Sequence, residues 1–217
     1  MKQHQRRFQL PSCPSVSFSC LLAVPEEPPG GGRWPLLMYL HGKGECGDDP
    51  ELVRRHGPPR LIARGRSFPF ILAAPQCRVP LGWPAEPLTA LLDALLRELP
   101  VDPDRVYLTG LSMGGFGVWS LATLHPERFA AIVPICGGGA PYLAERLRAL
   151  PIWAFHGARD DVVPLEESLR MVKAVNRAGG DARLTIYPEV GHDSWTATYE
   201  NPEVYAWMLR HTRKPSA

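Results

Sequence analysis

The residues with the clearest chemical potential are a serine among small neighbours, Gly110-Leu111-Ser112-Met113-Gly114, with Gly115 behind them. This G-x-S-x-G run follows an apolar stretch at 106–109 and precedes an apolar helical pattern at 114–124. A sharp strand-to-helix turn of that kind forces the serine into a strained conformation and lifts its hydroxyl clear of the sheet. Small residues are required where the turn crowds its surroundings. A serine hydroxyl is a poor nucleophile at neutral pH, so it needs a base to take its proton and an acid to hold that base.

With a nucleophile on such a turn, the acid follows in the chain and the histidine comes last. His125 closes the helix after Ser112, His156 precedes the candidate acids, and His211 lies in a partly polar terminal helix, expected at the surface. His192 remains. It follows the apolar run at 183–187 in Glu189-Val190-Gly191-His192-Asp193, a loop from which a side chain can swing back over the sheet. The acid must lie between them. Asp160 and Asp161 come just after a strand pattern at 152–155, at the carboxyl edge where ligands bind in open α/β sheets. Glu127, Glu145, Glu166 and Glu167 fall within or beside helices, and Asp181 precedes the last strand. On residue types alone the Asp pair stays open: one can face His192 while the other, Asp161, caps the next helix.

Acyl transfer also needs fixed N–H donors for the developing oxyanion. Met113, directly after the nucleophile, is expected to supply one. The loop after the strand pattern at 36–40 reads His41-Gly42-Lys43-Gly44-Glu45-Cys46-Gly47, and its glycines let it approach the reacting carbonyl. Lys43 is the second expected donor. No G-K-[ST] ends this loop, so it does not read as a phosphate cradle.

The elements that must position these groups alternate. Short apolar runs at 16–24, 36–40, 70–74, 106–109, 131–135, 152–155 and 183–187 read as strands. Helical patterns at 88–99, 114–124, 165–178 and 202–210 lie between or after them. That order predicts a mostly parallel sheet of about seven strands with helices on both faces, one domain over 1–217. A Pro/Gly turn is expected at 25–32. The segment 136–151 is too short for a cap domain, which predicts an open cleft.

Composition removes other classes. The chain has 217 residues and a formal charge of +2, too small to argue for nucleic acid or an anionic surface. No stretch reaches the ~20 apolar residues of a membrane span, and no long apolar run follows the basic N-terminus. A cytoplasmic location is expected, although a secreted chain without its leader reads the same. Five cysteines without a C-x-x-C pair predict free, mostly buried thiols rather than a zinc site. The chemistry outlined needs no metal or organic cofactor, and nothing in the sequence speaks to oligomeric state.

Five motifs, taken together, carry a family resemblance: Leu40-His41-Gly42-Lys43-Gly44-Glu45-Cys46-Gly47, Ala74-Pro75-Gln76, Gly110-Leu111-Ser112-Met113-Gly114-Gly115, Phe155-His156-Gly157-Ala158-Arg159-Asp160 and Gly191-His192-Asp193-Ser194-Trp195. The chain resembles the phospholipase/carboxylesterase and dienelactone-hydrolase-like group of α/β-hydrolases, including its compact esterases and depolymerase-like members. The resemblance implies a triad of Ser112, Asp160 and His192, oxyanion donors at Lys43 and Met113, and hydrolysis of small or polymeric esters. It favours Asp160 over Asp161. Cys46 departs from the pattern, since relatives often carry Arg there, which bears on the rim of the site. Dienelactone hydrolases proper use a cysteine nucleophile, and the serine here argues against that particular reaction. Trp83 and Trp195 are candidates to line the cleft or simply to pack in the core. Glu45 either orients the oxyanion loop or is a solvated turn acid. A thioesterase, a small peptidase or a silent binding protein are the competing functions.

Overall fold

The computed structural model describes residues 1–10, 12–13, 16–27, 32–78 and 81–213. Eight strands form one sheet: β1 (Gln3–Gln9), β2 (Ser17–Ala23), β3 (Trp34–Leu40), β4 (Ile71–Gln76), β5 (Val101–Leu111), β6 (Ala131–Ile135), β7 (Ile152–Gly157) and β8 (Ala182–Tyr187). Their order is β1-β2-β4-β3-β5-β6-β7-β8. The first two junctions are antiparallel and the others parallel. Among the described residues, six α-helices complete the fold: α1 (Gly57–Ala63), α2 (Ala85–Glu98), α3 (Met113–Leu124), α4 (Glu166–Arg177), α5 (Trp195–Glu200) and α6 (Pro202–Leu209).

The sheet is covered on both faces because its central strands carry continuous apolar runs. All seven residues of β3 are buried. Leu36, Met38 and Leu40 join a cluster with Leu91 and Leu95 of α2 and Val118 of α3. Leu37 and Tyr39 join the opposite cluster with Tyr199 of α5 and Val204 and Trp207 of α6. Alternate side chains of an extended strand point to opposite faces, so one apolar run supplies two cores.

The expected architecture stands, with eight strands instead of about seven. The extra one, β1, reads QHQRRFQ, and only Phe8 is buried along it. It is an edge strand, where charged residues keep the open side from pairing with another chain. Of the turn expected at 25–32, residues 28–31 lie outside the described residues. Of the five cysteines, Cys20, Cys77 and Cys136 are buried and Cys13 and Cys46 are partly exposed. Among the described residues, no helix is long and apolar enough to cross a membrane.

Candidate active site

Ser112 links β5 to α3 with φ 53° and ψ −117°, a left-handed conformation that side chains rarely adopt. Its N–H donates to Ile135 O at 3.0 Å, which ties the turn to the end of β6. The surrounding glycines are there because nothing larger fits. A Cβ on Gly110 would lie 2.6 Å from Gly114 O, one on Gly114 2.0 Å from Leu40 O, and one on Gly115 2.3 Å from Ile135 O. Leu40 pairs with Gly110 across β3 and β5, so the loop after β3 is delivered beside Ser112.

His192 and Asp160 reach the serine from the far side of the sheet. The β7–β8 ladder ends at Gly157 and Tyr187, and Arg159 N–H donates to Val190 O at 3.0 Å, clamping the two loops together. Gly157 allows this contact, since a Cβ there would meet Gly191 O at 2.1 Å. His192 Nε2 lies 2.9 Å from Ser112 Oγ, and His192 Nδ1 lies 2.8 Å from Asp160 Oδ2. The imidazole has 20% of its side chain exposed, while the Asp160 side chain has none.

Asp160 is held for its task. Its Oδ1 accepts N–H groups of Val162 and Val163 at 3.0 and 2.9 Å. Burial pushes its carboxyl up, but hydrogen bonds from His192, Val163 and Val162 outweigh it, and the net value falls below the ordinary one. The acid is therefore ionised at neutral pH. Asp161 is exposed, and it does not start the next helix, because α4 begins at Glu166 with Leu165 at its N-cap. The capping expected of Asp161 is thus absent. Asp160 itself closes the turn with the two N–H groups that a cap would take.

Lys43 opens a short 3₁₀ turn, Lys43–Glu45, and Met113 opens α3. The first N–H groups of a helix have no partner within it, and both residues line a cleft of about 490 Å³ together with Ser112, Trp83 and Phe116. Gly42 is needed there, since a Cβ would lie 2.7 Å from Leu111 Cδ1. Gly44 has open space and an ordinary φ, so crowding does not require it, contrary to the expectation for that loop.

Glu45 is no solvated turn acid. It is 4% exposed, and its Oε2 accepts the Gly42 N–H at 2.9 Å. Burial raises its carboxyl above the usual range, against lowering contributions from His56, Gly42 and Arg55. Trp83 is both packed and lining: it is 7% exposed, and its Nε1 donates to His41 O at 3.0 Å. Trp195 stands edge-on to His192 with ring centroids 5.2 Å apart. It does not line the cleft that holds Lys43 and Met113.

Three residues of the site carry no mark in the sequence. His41 is fully buried, donating from Nδ1 to Gly42 O at 2.6 Å and accepting the Cys77 N–H at Nε2 at 2.9 Å. His156, also fully buried, places Nε2 3.2 Å from Asp160 Oδ2 and 2.9 Å from Val163 O. Cys136 has a left-handed φ of 39° and lies behind the triad, its Sγ within 4.8 Å of ligand atoms of Asp160 and His192. Cys136, Asp160 and His192 lie close enough together to hold a metal ion, and burial pushes the Cys136 thiol up to about 12. The only signal for His41 and His156 is their place at the ends of β3 and within β7, where a polar residue in an apolar strand demands partners.

The profile of the dienelactone hydrolase family matches residues 85–206. A protein of Nocardia uniformis subsp. tsuyamanensis that bears the name esterase, NocK, is 30% identical over 162 residues, 66% of this chain and 43% of its own length. A protein of Oryza sativa subsp. japonica named as a carboxylesterase is 24% identical, over 74% of this chain and 82% of its own. The crystal structure of a thermostable esterase superposes with a TM-score of 0.83 at 34% identity, covering 97% of this chain and 63% of that one. The chain therefore spans less than half the length of NocK and under two thirds of the thermostable esterase. With this fold and a matched region of more than half its length, the chain belongs to the dienelactone hydrolase family of α/β-hydrolases.

Proposed function

We propose that this protein is a serine carboxylesterase. The observation that carries the reading is the relay Ser112 Oγ, His192 Nε2, His192 Nδ1, Asp160 Oδ2, with steps of 2.9 and 2.8 Å beside an accessible cleft. Esterase names among the relatives support the same bond type. Ser112 Oγ attacks the ester carbonyl while His192 Nε2 takes its proton. Lys43 and Met113 N–H groups hold the oxyanion. The C–O bond breaks, and His192 returns the proton to the leaving alcohol. Water, deprotonated by His192, then cleaves the acyl-enzyme and releases the acid. As the acid leaves, His192 returns that second proton to Ser112 Oγ. Asp160 keeps Nδ1 protonated, so that Nε2 is free to accept at the start of each half-reaction, and stabilises the imidazolium formed in between. No step requires a metal or organic cofactor.

The cleft supports short-chain esters and bulky or polymeric ones. The segment 136–151 packs on the core through Ala144, Leu147 and Leu150 instead of covering Ser112. Relative kcat/KM on an ester, a thioester and an amide sharing one acyl group tests the reading. The ester must lead. A thioester preferred by tenfold or more makes the protein a thioesterase, and cleavage of the amide at a comparable rate makes it a peptidase.

A further inference from the structure

His56 has no part in the reaction as written, yet it lies between two pieces of the site that come from distant parts of the chain. It precedes α1, half-buried, with 28% of its side chain exposed. Its Nδ1 accepts a hydrogen bond from Trp195 Nε1 at 3.3 Å. Its Nε2 faces Glu45 Oε1 at 3.7 Å. An indole N–H only donates, so Nδ1 is the bare nitrogen, and Nε2 carries its hydrogen toward the Glu45 carboxyl group.

Both neighbours continue into the machinery. The second oxygen of Glu45 accepts the Gly42 N–H, one residue before Lys43. The Trp195 ring stands edge-on to His56 at 5.4 Å and edge-on to His192 at 5.2 Å. The joint is also fixed from behind. Gly57 turns the chain at φ 62°, and a Cβ there would lie 2.6 Å from Tyr39. Any larger residue would strain this turn and press on the Tyr39 ring.

We infer that His56 is a positioning residue, locking the Glu45-braced oxyanion loop to the Trp195 wall of His192. Donors and base then keep one spacing through both acyl-transfer steps. This rests on the serine-esterase reading. An oxyanion contact forms fully only in the transition state, so loosening the joint costs kcat and leaves KM nearly unchanged.

The test uses the full chain and p-nitrophenyl acetate, with melting temperature measured for every variant. Ser112→Ala comes first: activity retained there would sink the esterase reading itself, independently of His56. His56→Ala is then expected to lower kcat about tenfold with KM within about twofold, the scale of a modest misplacement of catalytic groups. His56→Asn, whose Oδ1 sits where Nδ1 was and can accept the indole N–H, keeps the Trp195 half of the joint and should recover part of that loss. Trp195→Phe removes the N–H from this joint while leaving a smaller aromatic ring beside His192 and should cost about as much as His56→Ala. The double variant should cost no more than either alone, because one connection cannot be cut twice.

Unchanged kcat in His56→Ala overturns the inference. So does an equal loss in His56→Asn, or a multiplied loss of about a hundredfold in the double variant. Should His56→Ala fail to fold, Trp195→Phe and His56→Asn decide alone. Trp195→Phe must lose kcat at constant KM, and His56→Asn must lose less of it than Trp195→Phe.

Discussion

His41 should make this fold acid-sensitive in a window that can be calculated. The imidazole is fully buried beneath the oxyanion loop, and burial lowers it from 6.5 to about 4, with the Gly42 carbonyl opposing only in part. The geometry explains the direction: Nε2 accepts the Cys77 N–H, so a proton there would set two N–H groups against each other. Between pH 6.5 and 4 the unfolded chain therefore carries a proton on this residue that the folded chain refuses. Stability from this group is complete above pH 6.5 and lost as the pH falls toward 4. For those two values, lowering the pH from 7.5 to 4.5 removes on the order of 2 to 3 kcal/mol. Urea unfolding of the wild type and of His41→Gln at both pH values isolates the term. The Gln oxygen can still accept the Cys77 N–H but does not titrate. The wild type should lose on the order of 2 to 3 kcal/mol more than the variant across that interval, and other titrating groups cancel in the difference. Parallel losses in the two proteins would refute the reasoning.

Other perturbations separate neighbouring roles. Asp160→Asn should lower kcat on the order of 10⁴ by leaving His192 in the wrong tautomer. Asp161→Asn, at an exposed position without a bond to His192, should leave steady-state rates within about twofold; the reverse ranking would exchange their roles. Gly114→Ala should cost at least about 3 kcal/mol of unfolding free energy or abolish folding, because its methyl has only the Leu40 carbonyl to meet. Gly44→Ala should shift stability by less than about 1 kcal/mol, since the space around it is open. Rates on tributyrin measured across its solubility limit should rise smoothly with no jump as droplets form, because the segment 136–151 is packed on the core. A sharp jump would mean that a lid covers Ser112.

Much of the site was legible because its constraints are local. The elbow needs glycines at fixed offsets from Ser112, and the order of acid and histidine follows from which loops meet at one sheet edge. The buried strands announced themselves as apolar runs, and β3 and β7 alternate between two cores as such runs must. What stayed hidden depends on partners distant in the chain. β1 looks like a charged tail until it is paired with β2. α1 begins Gly57-Pro58-Pro59, which reads as a turn, and α5 is only six residues long. The role of Glu45 could not be separated from a solvated turn because its evidence is the Gly42 N–H and the burial around it. Asp161 read as a helix start because Asp favours caps, whereas four residues separate it from α4. His41 and His156 stand too early in the chain to be the base of a triad in this order. Their partners are a backbone N–H and the same Asp160 oxygen that faces His192, which no spacing rule encodes.

The central claim is that Ser112 is the nucleophile activated by His192. The most direct measurement is to treat the folded protein with a fluorophosphonate and locate the adduct by peptide mass spectrometry, alongside Ser112→Ala and His192→Ala. The account predicts one stoichiometric adduct, on Ser112, and no labelling of Ser112→Ala. In His192→Ala labelling should be slower by at least about 10³, since the unassisted hydroxyl is a poor nucleophile. An adduct on any other residue, or Ser112→Ala that still hydrolyses esters at the wild-type rate, would contradict it.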